Sequence, residues 1–157
     1  MKADPRILAD LNLACGALAT MVEQFRIDRV QLKTLDCEWL AGKYGKWYEK
    51  AEEHLCSFQC RLIAFEGEPS FSIAGPKGGG GDVAALLQRN LDFAQKTFDQ
   101  FCAARAKAYT IRADYTPDDY EHAIKFLEKL IVKHETQLRL ISGLTQPGYI
   151  GARLEDG

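Results

Sequence analysis

The 157-residue chain has no run of lysine and arginine. Its formal net charge of -2 and pI near 5.9 leave no electrostatic footprint for nucleic acid or an anionic membrane. No apolar run approaches bilayer length, and Met1 and Lys2 lead straight to Asp4 and Pro5 without the apolar core of a signal peptide. The expectation is a soluble, cytoplasmic protein with neither nucleic acid nor membrane as partner. No two of the five cysteines (Cys15, Cys37, Cys56, Cys60 and Cys102) make a C-x-x-C pair, and their odd number argues against a disulfide framework. Cys56 and Cys60, four residues apart, offer two soft ligands where a structural zinc site uses four, so reduced thiols are expected. The glycines from Gly78 to Gly81 precede a helix but lack the Gly-Lys-Ser/Thr ending of a P-loop. Asp118, Glu121 and His122 read as a solvated helix face rather than a surface metal site.

What is present is a helical pattern over a single domain, residues 1–157, with 46% hydrophobic and 27% charged residues. A first helix is expected from Pro5 to Leu35, with Asp4 as N-cap and Ile7, Leu11, Cys15, Leu18, Val22 and Phe25 as its apolar stripe. A turn at Asp36 and Cys37 leads to a central helix striped by Leu40, Tyr44, Trp47, Ala51, Leu55, Phe58, Leu62 and Phe65, with His54 in the stripe too, one turn from Ala51, and expected in the core. The segment from Glu66 to Gly81 is too rich in Gly, Pro and Ser to be helical. A third helix runs from Asp82 to Ile111 on Val83, Leu87, Leu91, Ala94, Phe98 and Phe101. A fourth, opened by Thr116 and Pro117, runs on Tyr120, Ala123, Leu127, Leu130, His134, Leu138 and Ile141 and ends at Gly143. The tail QPGYIGARL is long enough for two more helical turns but adds nothing obvious to a four-helix core.

Connection lengths select the topology. A helix of about 27 residues is about 40 Å long, and the sixteen or so residues from Glu66 to Gly81 reach about 50 Å when extended. That connection can travel the length of the bundle and start the third helix parallel to the second. The pattern is an all-α, ferritin-like four-helix bundle with one long crossover and a short C-terminal fifth helix.

The residues also resemble a family over the whole chain. The opening MKxD with Leu11, Asn12 and Gly16, then His54, FEGEP from Phe65 to Pro69, Gly81-Asp82-Val83, ETQL from Glu135 to Leu138, and Tyr149 look like a bacterioferritin. The resemblance implies an iron-storage subunit, forming anything from a dimer to a haem-bearing 24-mer cage, with a di-iron ferroxidase centre inside each bundle. Laid on that pattern, the ligand positions are Leu18, Ala51, His54, Ala94, Leu127 and Leu130, so His54 is the only ligand position retained. Iron oxidation needs hard anionic oxygens to balance two cations, and one imidazole supplies neither the charge nor the ligand number.

By the same register the mineral-nucleating positions on the cavity face are Lys46 and Lys50. The haem-ligand position is Glu52, in a wall of Val22, Glu23, Arg26 and Glu49, with Cys56 one turn along as a rival ligand. No catalytic residue, no intact metal site and no cofactor are expected, iron and haem remaining as alternatives. The functional expectation is a shell subunit without its own ferroxidase centre, assembling alone or with an active subunit. The alternative is a non-iron binding or scaffold protein that keeps only the bundle.

Overall fold

Two acidic N-caps and two left-handed C-termini define the long helices. In the computed structural model, which describes residues 3–73, 81–112 and 118–156, α1 runs Pro5–Thr34, α2 Glu38–Ala64, α3 Val83–Ile111, α4 Asp118–Ser142 and α5 Gln146–Asp156. Asp4 and Asp82 cap α1 and α3, their carboxylates accepting from the backbone N–H of Arg6 (2.8 Å) and Ala85 (2.9 Å). Thr116, Pro117 and the glycines Gly78, Gly79 and Gly80 lie outside the described residues.

Helices α1 and α2 end alike. Asp36 and Glu66 both adopt φ 59°, and the next residues, Cys37 and Gly67, donate back to the carbonyls of Leu32 and Leu62 at 2.9 Å. This double turn normally places glycine at the left-handed position. A Cβ there is strained, so Asp36→Gly and Glu66→Gly should each raise stability by about 0.5–1 kcal/mol, after the extra freedom of glycine in the unfolded chain is counted. Urea unfolding of the single variants checks this.

Side-chain pairs between helices establish the topology. Asp28 meets Arg89 and Asn90, and Asp10 meets Lys107, so α3 runs antiparallel to α1 and therefore parallel to α2. Between α2 and α4, Trp47 packs on His134, His54 on Phe126, and Arg61 pairs with Asp119 at 2.7 Å, again antiparallel. The described part of the crossover lies along α1. Asn12 accepts from the Ser70 N–H (2.7 Å) and donates to the Glu68 carbonyl (3.1 Å), while Gly16 passes so close to Ser72 that a Cβ would sit 2.9 Å from its carbonyl oxygen. Asn12 and Gly16 thus steer the connection along the bundle toward the start of α3.

The fifth helix forms as expected, but it docks on the bundle, which its sequence did not suggest. It is eleven residues long, and Tyr149 is 1% exposed. The Tyr149 hydroxyl donates to Gln137 Oε1 (2.7 Å), Gln146 Oε1 accepts from the Val83 N–H at the start of α3 (2.8 Å), and the Arg153 guanidinium stands 4.6 Å from the Trp39 ring centroid on α2. The tail therefore closes one end of the bundle across three helices. The sequence stripe missed this because a single aromatic and two polar anchors carry the docking.

Candidate functional site

The middle of the bundle is apolar. Leu18, Ala51 and Leu127 are fully buried, Leu130 and Ala94 are 1% exposed, and all but Ala94 belong to one cluster of buried apolar side chains. These are the positions that the family pattern assigns to carboxylate and imidazole ligands. Among the described residues, no group of three or more His, Cys, Asp or Glu is placed to hold a metal ion. The donor set therefore does not fit a dinuclear iron centre, and no oxidation step follows from these residues.

His54 is not in the core. It sits about 60° off the centre of the α2 stripe, half-buried at the rim of a groove between α2 and α4, its ring 5.0 Å from that of Phe126. Burial lowers its pKa. His122 lines the same groove, and Glu53, His54, Asp119 and His122 border a small cavity beside it, but Asp119 is engaged by Arg61 and no three such groups among the described residues are placed to hold a metal ion.

Glu52, Cys56 and Cys60 are exposed on α2. The Cys60 thiol, by hydrogen bonding, pushes the Cys56 pKa up, which works against a thiolate ligand at neutral pH. Glu23 and Arg26, in the wall expected around a haem, pair with each other at 2.9 Å. Charged and paired groups there do not make an apolar porphyrin pocket. Burial raises the pKa of the Cys15 thiol to about 11 and also raises that of Cys37.

The polar chemistry of the interior lies toward one end of the bundle, where sequence reasoning had not placed it. Asp28, fully buried on α1, accepts from Arg89 (2.8 Å), from Asn90 (2.7 Å) and from Gln24 one turn earlier (3.0 and 3.1 Å). Asn90 also donates to the Tyr44 hydroxyl (3.1 Å), which lies 2.7 Å from His134 Nε2; His134 Nδ1 lies 2.7 Å from the Leu130 carbonyl. That carbonyl can only accept, so Nδ1 carries the proton, Nε2 accepts, and the Tyr44 hydroxyl donates to it. All four long helices contribute to this chain of hydrogen bonds. Asp28 and Asn90 each stand three residues beyond a stripe residue, Phe25 and Leu87, and that shared break in the apolar pattern was the available signal.

Burial keeps His134 neutral, with its pKa pushed down to about 4 from the ordinary 6.5, and raises the Tyr44 pKa well above 10. For the histidine, the unfolded chain binds more protons than the folded one between about pH 6.5 and 4. Its contribution is complete above pH 6.5 and declines as the pH falls, by about 3 kcal/mol in all. In urea titrations, the stability gap between wild type and His134→Gln should narrow by about 2 kcal/mol from pH 7.5 to 4.5.

No protein-family model matches the chain, and no curated protein matches it in sequence. Among solved structures, the bacterioferritin of Rhodobacter capsulatus superposes with a TM-score of 0.90 at 19% identity, covering 98% of this chain and 96% of that one. That structure is described as having a metal-free dinuclear site and haem iron in a crystallographic special position. At this identity the likeness establishes the ferritin-like fold.

Proposed function

We propose that this chain is a subunit of a bacterioferritin-like iron-storage shell that has neither a ferroxidase centre nor a haem of its own, assembling alone or with an active subunit. The observation that carries the reading is the replacement of a polar bundle centre by Leu18, Ala51, Ala94, Leu127 and Leu130, all buried, in a fold that otherwise matches a bacterioferritin from end to end. Buried carboxylates without a metal cost several kcal/mol each in desolvation. Apolar residues at these positions support a subunit that contributes shell rather than chemistry. A carboxylate at Glu52, the haem-ligand position of the family pattern, and the raised Cys56 pKa support the absence of haem.

A second reading keeps the bundle and gives up iron altogether. It is favoured by Lys46 and Lys50, exposed on α2 where the family pattern places iron-attracting groups. Particle mass, iron content and the Soret band of protein purified from its native cell separate the two. A large, iron-containing particle without a stoichiometric Soret band is expected. A metal-free monomer or dimer would favour the second reading, and a stoichiometric Soret band that vanishes in Cys56→Ala would overturn the haem-free assignment.

A further inference from the structure

A chain with a formal net charge of -2 nevertheless concentrates positive charge in one place. The groove between α2 and α4, about 470 Å³, is lined by Lys46, Lys50, Lys125, Lys129 and Lys133 against one carboxylate, Glu49, with His54 and His122 at one end. The lysines are exposed, and only Lys50 has a carboxylate in ion-pair range among the described residues, the exposed Glu53 at 3.3 Å. Lys125, Lys129 and Lys133 follow at four-residue steps along about 12 Å of α4, and Lys46 and Lys50 repeat the step on α2. Like charges at this spacing repel each other and lie within one screening length. A bound polyanion removes that repulsion.

The side chains also select the kind of anion. All five cations are ammonium groups, which engage oxyanions as point charges without a fixed geometry, so two rows of them suit a linear polymer with a charge on every short backbone unit better than one whose charges sit on side chains. Its rings are not open platforms for bases: Trp47 is 7% exposed, and Phe126 is half-buried with His54 packed on it. From this placement we infer that the α2/α4 groove binds a linear phosphate polymer, inorganic polyphosphate, through Lys46, Lys50, Lys125, Lys129 and Lys133. The inference is independent of iron; in the proposed shell Lys46 and Lys50 lie on the cavity face, so the polymer binds before a shell closes and the titration uses unassembled chain.

Calorimetric titration of the full chain with inorganic polyphosphate, orthophosphate, polyglutamate and polyuridylate tests it. Polyphosphate should bind most tightly, and its affinity should fall with salt. The double variant Lys125→Glu, Lys129→Glu should weaken binding at least about tenfold and reduce the slope of log affinity against log salt by about 1.4, using the single-strand value per contact. Lys96→Glu, exposed on α3, should bind as wild type, and circular dichroism should show all variants folded. Unchanged affinity in the double variant, an equal loss in Lys96→Glu, or equally tight polyglutamate or polyuridylate would each overturn the assignment.

Discussion

Replacing Arg89 by methionine should cost the fold about 3–5 kcal/mol at pH 7. Arg89 is the counter-charge of Asp28, which has no exposure to solvent. With the guanidinium gone, Gln24 and Asn90 still donate to the carboxylate, but no positive charge offsets its desolvation, and breaking a buried pair from one side leaves an uncompensated charge. The loss should also loosen the bundle, because Asp28, Asn90, Tyr44 and His134 join four helices through consecutive hydrogen bonds. Asp28→Asn in the Arg89→Met background should recover about 1–2 kcal/mol, since it removes the charge and keeps most of the shape. Chemical denaturation of the two variants decides it; a cost below about 1 kcal/mol for Arg89→Met would mean that the ion pair is not what holds this end together.

Ala51→Glu should destabilise the protein by about 3–5 kcal/mol and create no iron chemistry. Ala51 is fully buried, with Leu18, Leu127 and Leu130 in the same apolar cluster, and none of them can share a cation with a new carboxylate. The substitution adds volume to a packed site and buries a charge without a partner. The deficit relative to wild type should shrink as the pH falls toward 4.5, because the new carboxyl titrates well above its ordinary value when buried. Ala51→Gln should cost less at pH 7, the difference measuring the charge. A stable Ala51→Glu protein would show that water or a cation reaches the bundle centre.

The helices were legible because each carries a stripe at helical spacing and an identifiable cap. Pro5 and Asp4 set the start of α1, Asp82 that of α3, and the expected ends fall within a residue or two of Thr34, Ala64, Ile111 and Ser142. The crossover was legible from length alone. What was not legible depends on two helices meeting. His54 falls at helical spacing from Ala51, but its offset from the centre of the α2 stripe together with the placement of α4 sets it at a groove rim. Absence of a basic run said nothing about lysines four residues apart on two neighbouring helices, which the bundle gathers into one groove. The Asp28 network hid for the same reason: each polar residue is a minor exception on its own helix, and their register across the bundle makes them one structure. The anchoring of α5 rests on Tyr149, Gln146 and Arg153, too few residues to register as a periodic face.

The central claim is that this bundle has no oxidation chemistry of its own, and stopped-flow absorbance of the purified homomeric protein mixed with ferrous iron and oxygen tests it most directly. The account predicts iron oxidation at the protein-free rate, with no saturable fast phase in wild type or in Ala51→Glu. A fast phase saturating at about two irons per subunit, the stoichiometry of a di-iron carboxylate centre, would contradict it.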